Sequence, residues 1–332
     1  MRKNVLNVAG VVALNGALIA ASAGSAMAQV DQLLVLDGGK IVRYEYPNGT
    51  PIDHFVGQGA TSLSNGWNMV YGPDGNLFVS CQNTAAVYRF NGQTGQYINT
   101  FIQSGAGGLT QPLGIAFQGN FFYVCSYNSD SVLQYNASTG NFVKNFILPG
   151  AGTLDGPQDI QFDTLGNAFV TSSLNDKVLK YNAITGAFIS EILAPAGKSM
   201  NSPIGLLLDA QGNLFISCNG SDNILTIPSG GAIKELVAPF ASGMNNPRDM
   251  CLSPEGWLLI GGVSTNKVLG FDRITGGFTG TFVFDNNDAG LGGGNSVIFV
   301  PQASSCYADC DGNGTLNIDD FICFQTFFVL GC

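Results

Sequence analysis

The chain has 332 residues, 45% of them hydrophobic and only 11% charged, with 45 glycines. That profile fits a strand-rich protein with many tight turns and excludes a helical bundle or a disordered chain. With 23 acidic residues against 13 basic ones and no basic residue after Arg273, no patch is available to neutralise phosphates. Nucleic acid is thereby excluded as a partner and anionic membrane surfaces are disfavoured.

Residues 1–28 come first and stand apart. Met1-Arg2-Lys3 is basic, Val5 to Ala21 is mostly apolar, and Ala26-Met27-Ala28 has the small-x-small pattern of a cleavage site. The segment reads as a secretory signal cut after Ala28, which predicts a secreted, cell-surface or periplasmic protein. Asn7, Asn15 and Gly16 interrupt the apolar run and argue against a membrane anchor. No later segment has 18 uninterrupted apolar residues, so no membrane span is predicted.

Residues 29–303 repeat one unit. "WNMVYGPDGNLFVSCQNTAAVYRFNGQTGQYINTF" from Trp67 aligns with "PLGIAFQGNFFYVCSYNSDSVLQYNASTGNFVKNF" from Pro112, and further copies start at Pro157, Pro203 and Pro247. A period of 40 to 50 residues with several short strands per unit is the signature of a β-propeller. Each unit divides into four strands. The first is apolar ("GIAF", "DIQF", "GLLL"). A Gly-containing turn leads to the second ("LFVSC", "AFVTS", "LFISC"). The third alternates ("VYRF", "VLKY", "VLGF"), and a Thr-Gly turn leads to the fourth ("YINTFI", "FISEIL", "FTGTFV"). "GNSVIF" from Gly294 supplies a first strand, and "LLVLDGGKIVRYEYPNGTPIDHFV" from Leu33 supplies the other three. The prediction is an all-β, six-bladed propeller closed by N- and C-terminal strands in one blade, leaving no open edge.

The pattern Pro-x-Gly/Asp-Ile/Leu-x-Phe/Leu, then Gly-Asn-x-Phe/Leu-Val/Ile and Val-Leu/Tyr-x-Phe/Tyr, resembles the NHL-repeat family of six-bladed propellers over about Leu33 to Pro301. Such rings include lactonases, lyases and simple binding modules, so function must be read from the residues. The third position of each unit reads Asn68, Gly114, Asp159, Gly205, Asp249 and Ser296. Asn68, Asp159 and Asp249 could form a channel ring that holds a hard cation. In the favoured reading they bond neighbouring backbone amides, as Asx turns do. The resemblance implies that a lactonase would need carboxylates around a channel metal. However, Glu45, Glu191 and Glu235 fall on outer strands and Glu255 in a turn. A lyase of the streptogramin-inactivating type would need channel histidine, and the single His, His54, falls on an outermost strand. No Gly-x-Ser-x-Gly or His-Glu-x-x-His motif is present, and the glycine runs 105–108 and 290–294 read as loops between blades. No catalytic residue is assigned. Cys81, Cys125, Cys218 and Cys251 read as buried small hydrophobes, although Cys125 could approach Cys81.

Residues 304–332 carry different chemistry. Counting from Asp309, positions 1, 3, 5, 7, 9 and 12 are Asp309, Asp311, Asn313, Thr315, Asn317 and Asp320, with Gly314 at position 6. This is the spacing of a calcium loop, and calcium is the expected cofactor. Asp at position 12 and no preceding helix resemble a dockerin, of the short C-terminal kind that ends in Gly-Cys as Gly331-Cys332 does. The resemblance covers about Cys306 to Cys332 and implies a cohesin-like or sorting partner, although one loop stands where a dockerin has two. Cys306, Cys310, Cys323 and Cys332 read as a disulfide framework with three possible pairings; chain order favours a nested one, with Cys306 and Cys332 flanking the module. The whole reads as a secreted, non-enzymatic ring that presents a face to a protein or carbohydrate partner. The alternative is a metal-dependent lactonase or lyase working at the central channel.

Overall fold

The structure is a computed structural model that describes residues 31–57, 63–262, 266–283 and 294–301. The signal-like segment, the calcium loop and the four tail cysteines lie outside the described residues. Six four-stranded antiparallel sheets form the blades. Blade 2 is β4 (Gly66–Tyr71), β5 (Leu77–Cys81), β6 (Ala86–Phe90) and β7 (Tyr97–Ile102). Blade 3 is β8 (Pro112–Gln118), β9 (Phe121–Ser126), β10 (Ser131–Asn136) and β11 (Phe142–Ile147). Blade 4 is β12 (Pro157–Phe162), β13 (Asn167–Ser172), β14 (Lys177–Asn182) and β15 (Phe188–Ile192). Blade 5 is β16 (Pro203–Leu208), β17 (Leu214–Cys218), β18 (Asn223–Ile227) and β19 (Lys234–Val237). Blade 6 is β20 (Pro247–Leu252), β21 (Trp257–Gly262), β22 (Lys267–Asp272) and β23 (Phe278–Val283). Blade 1 joins the chain ends: β1 (Gln32–Asp37), β2 (Lys40–Glu45) and β3 (Thr50–Val56) pair with the innermost strand β24 (Ser296–Phe299).

Local chemistry makes each blade. At the turn after the third strand, one side-chain oxygen does the capping. Asn91, Asn136, Asn182 and Asp272 each accept from the backbone N–H groups two and three residues on and from the following Thr hydroxyl. This is why Asn-x-x-Thr-Gly recurs. Second strands are buried on both faces, as in β5 and β17, because each is packed against the blades on either side.

The core is divided among the seams between blades. Leu34, Leu36, Ile41, Met69, Leu77 and Val79 fill the seam of blades 1 and 2. Phe78, Phe101, Ile115 and Phe122 fill the next, Tyr123, Phe146 and Ile160 the third, and Phe169, Leu206, Leu214 and Ile216 the fourth. Phe215, Met250 and Leu258 fill the fifth. Val35, Leu259, Phe282 and Val297 close the ring between blades 6 and 1.

One strand departs from the repeat. In β3, β7, β11, β19 and β23 the penultimate residue bulges out of the ladder, so that Phe55, Phe101, Phe146, Leu236 and Phe282 have no cross-strand partner. The repeat places Ile192 at that position and Leu193 at the strand end. In β15, Ile192 itself closes the ladder opposite Val178, Glu191 pairs with Leu179, and no bulge intervenes. One residue fewer therefore separates Gly186 from the closing position than in the other blades, although the chain from Gly186 to Pro203 is as long as that from Gly140 to Pro157.

Closure sets the first expected outcome. A chain ending before Gly294 loses the pairing of Val35 with Val297 and of Leu34 with Ile298, which leaves two seams half-built. Its melting transition should fall steeply or vanish relative to a chain ending at Pro301. Calorimetry that finds equal melting temperatures would contradict closure as the stabilising step.

Candidate functional site

The inner strands all begin on one face, here called the upper face. The residue before each of five of them is left-handed: Asn65, Gln111, Gly156, Ser202 and Asn246, with φ between 49° and 63°. Three of these residues donate their amides to the neighbouring blade. Asp130, Asp176 and Asp222, in the turns between second and third strands, accept from the backbone N–H of Gly156, Ser202 and Asn246 at 2.8, 2.8 and 2.6 Å. Each clamp ties one blade to the next with a charge-assisted bond.

Below the clamps lies the third-position ring. Asp159 accepts from its own neighbour Ile160 N–H through Oδ1 and from Leu206 N–H, on blade 5, through Oδ2, both at 2.8 Å. Asp249 accepts from Met250 N–H at 2.8 Å through Oδ1, while Oδ2 accepts from the Ser296 hydroxyl and from Asn68 Nδ2 at 3.3 Å. Asn68 and Asp249 are therefore hydrogen-bonded to each other, and Asp159, with no hydrogen bond to either, lines the same small cavity. Hydroxyls on the second strands reinforce the ring. Ser80, Thr171 and Ser217 each accept from an inner-strand N–H of their own blade and donate to Leu113, Ile204 and Arg248 carbonyls on the next. The small third-position residues have a steric cause, because a Cβ on Gly114 or Gly205 would overlap the Gln158 or Arg248 carbonyl. The cavity that remains among Trp67, Asn68, Gln158, Asp159, Asp249 and Asn295 is about 10 Å³, room for about one water. Burial pushes the Asp159 carboxyl well above its usual range, with the Asp249 charge adding to the shift, and pushes Asp249 up to about 6. Among the described residues no three His, Cys, Asp or Glu side chains gather as a metal site.

The second positions, which the sequence reading passed over, shape the channel mouth. Arg248 stacks on the half-buried Trp67 with its guanidinium carbon 4.2 Å from the ring centroid. Its Nε is buried without a hydrogen-bond partner, as is Oε1 of Gln158, whose Nε2 donates to Ser173 Oγ at 2.9 Å. Burial lowers the Arg248 pKa to about 10, so the group stays charged at neutral pH. Arg43, Arg89 and Arg273 pair with Asp53, Asp74 and Asp209. Among the described residues no carboxylate pairs with Arg248. A signal was present in the sequence: the other second positions, Trp67, Leu113, Gln158, Ile204 and Asn295, are all uncharged.

The remaining candidates lie away from the channel. His54 is exposed on β3. Glu191 and Glu235 pair with Lys177 and Lys198, both at 2.7 Å. Glu255 accepts from Tyr46 Oη at 2.7 Å. Residues 105–108 lie between blades 2 and 3 and form a tight turn, with the Ala106 carbonyl accepting from Tyr135 Oη at 2.8 Å. All four ring cysteines are buried and unbridged, and burial pushes Cys81 and Cys218 up to about 12. No described helix is long and apolar enough to cross a membrane.

No family model and no curated protein matches the chain. Among solved structures, it is similar to a chain of the nidogen/laminin complex, at 18% identity and a TM-score of 0.65 over 81% of this chain and 98% of that one. It is also similar to a streptogramin B lyase structure, at 14% identity and a TM-score of 0.55 over 74% and 76%. The fold is a six-bladed β-propeller.

Two outcomes follow from the geometry. Replacing Asp130 by Ala removes a half-buried, charge-assisted bond and should destabilise the ring by about 1–2 kcal/mol in urea unfolding, with Asp130→Asn costing less. Asp249 is protonated in the folded ring below about pH 6 and in the unfolded chain only below about 4. Its contribution to stability is therefore full below pH 4 and is lost as pH rises to 6. The melting-temperature difference between wild type and Asp249→Asn should move against wild type across that window and level off above it. A flat difference would mean that Asp249 titrates as an exposed carboxyl does.

Proposed function

We propose that this chain is a secreted, non-enzymatic binding ring whose upper face engages a protein or glycan through a carboxylate. The observation that carries this reading is Arg248: a charged guanidinium held rigid on Trp67 at the channel mouth with no carboxylate partner in the described chain. Arg presents a planar fork that matches a carboxylate, and stacking reduces the entropy lost when it binds. Gln158 Oε1, buried and without a donor, would accept from a hydroxyl or amide beside that carboxylate. Both glycans with acidic sugars and acidic peptide segments carry this pair of groups. The small channel cavity and the absence of inner-strand Glu or His further support binding over turnover.

A second reading keeps one specific observation. The carboxyl of Asp249, with its pKa near 6 beside Asn68, would suit proton transfer in a lactonase or lyase acting at Asn68, Asp159 and Asp249. Abolition of lactone or lyase turnover by Asp249→Asn at unchanged folding would establish that reading in place of the first.

The tail reading rests on residue spacing alone: Asp309, Asp311, Asn313, Thr315, Asn317 and Asp320 would bind calcium, and the dockerin-like module would attach the ring to a cohesin-like or sorting partner.

For the ring, Trp fluorescence titrations with oligogalacturonate and with a glutamate-rich peptide provide the test. One of the two should bind, and Arg248→Gln should weaken binding about tenfold or more without changing the melting temperature. Equal binding by Arg248→Gln would overturn the assignment.

A further inference from the structure

Five of the six seams are locked in one way on the lower face, where the inner strands end. The left-handed glycine after a third strand abuts the carbonyl of the bulged residue on the preceding blade. Gly95 meets Phe55, Gly140 meets Phe101, Gly186 meets Phe146, Gly276 meets Leu236 and Gly49 meets Phe282, each so closely that a Cβ would overlap the carbonyl oxygen. The bulged side chain itself wedges between blades. Phe146 packs on Tyr123 and Phe162 with ring centroids 4.8 and 6.2 Å apart, and Phe101 packs on Phe78 at 4.8 Å.

The seam of blades 4 and 5 lacks both halves of this lock. β15 has no bulge at its closing end, where Ile192 pairs directly opposite Val178, so no side chain is extruded there as Phe146 is from β11. On blade 5 the turn reads Pro228-Ser229-Gly230-Gly231 in place of Asn-x-x-Thr-Gly, and nothing lies within 4 Å of a Cβ placed on Gly230. Ile227 stands where the other third strands carry Tyr44, Phe90, Tyr135, Tyr181 and Phe271. The three departures open a groove of about 660 Å³, floored by Phe169, Leu208, Leu214, Ile227 and Ile233. Its charge is also altered. In blade 2, Arg89 pairs with Asp74. The corresponding Lys180 lies 5.7 Å from the Phe169 ring and faces Leu165, which is 85% exposed, where the acid would be. Among the described residues no carboxylate pairs with Lys180, whereas Glu191 and Asp209 in the same wall are paired with Lys177 and Arg273, and Asp163 is held by Leu165 and Asn167 amides.

We propose that this groove is a docking site for an extended peptide of a partner protein, carrying phenylalanine followed by an aliphatic residue, with an acid beside it. The five locked seams define the occupant. An aromatic ring fills the wedge between Phe169 and Leu208, as Phe146 fills it between Tyr123 and Phe162. The peptide carbonyl seats against Gly230. The acid meets Lys180. A pocket of this volume is within the usual range for a compact ligand and accommodates a few residues, and anchoring by one buried aromatic is the common economy of peptide recognition.

The test uses the full chain and a labelled acetyl-Asp-Asn-Phe-Ile-Leu-amide, which repeats Asn145–Leu148 of blade 3 behind an acid. Fluorescence anisotropy should show saturable binding, weakened about tenfold or more when the peptide Phe is replaced by Ala and about fivefold by Lys180→Ala. Insertion of Phe between Glu191 and Ile192 restores the bulge; it should abolish binding and raise the melting temperature. Should that insertion fail to fold, Ile227→Phe fills the groove from the other side and should weaken binding about tenfold. Arg248→Gln should leave it unchanged, which separates this site from the one at the channel mouth. No binding at about 1 mM peptide, undiminished binding by the filled variants, or uptake of dodecanoate or hydrocinnamate without uptake of the peptide would each overturn the proposal.

Discussion

The fold depends on one antiparallel pairing, that of β24 with β1. Residues near opposite ends of the described chain lie face to face, Val297 opposite Val35 and Ser296 opposite Leu36. This one contact completes two of the six cores, because Val35 and Val297 belong to the seam with blade 6 while Leu34 and Leu36 belong to the seam with blade 2. Chain closure over such a distance is less unfavourable than it looks, since its entropy grows only with the logarithm of loop length. What it secures is a ring in which every blade has two neighbours and no first strand has a free edge.

Closing the ring forces six inner strands against one axis, and the channel chemistry is a response to that crowding. Glycine stands at 114 and 205 where a neighbouring backbone approaches. Elsewhere a short oxygen-bearing side chain satisfies an amide on the next blade. Buried polar groups of this kind are tolerated only when hydrogen-bonded, and most of these are. Among the described residues, two groups of the inner strands left without partners, Arg248 Nε and Gln158 Oε1, lie at the rim. Polar residues near the axis hold the blades together, while those at the mouth are free to meet something else.

Much of this was legible in the sequence. The 44-to-46-residue spacing, the Gly-Asn and Thr-Gly turns and the matching terminal fragments specify blade number, strand order and closure, because each reflects local chemistry repeated in every unit. The oxygen side chains at Asn68, Asp159 and Asp249 were visible too, but their partners were not, since Leu206 and Ser296 lie on other blades and only the ring brings them near. Arg248 and the blade 4–5 groove escaped for a different reason. A repeat search looks for agreement, and these features are disagreements. The missing bulge in β15 is a shift of pairing register, with Ile192 rather than Leu193 opposite Val178, and the alignment of "FISEIL" on "YINTFI" carries no trace of it. Leu165 in place of an acid changes nothing in the apolar pattern of the strands.

The buried thiols have a use that their inertness creates. Cys81, Cys125, Cys218 and Cys251 each belong to a different seam: blades 1–2, 3–4, 4–5 and 6–1. Held protonated by burial and shielded from reagents, such groups are silent in the closed ring. Each can react only while its own seam is parted. The chain thus carries four separate clocks for breathing motions, and one of them, Cys218, sits in the seam that lacks its lock.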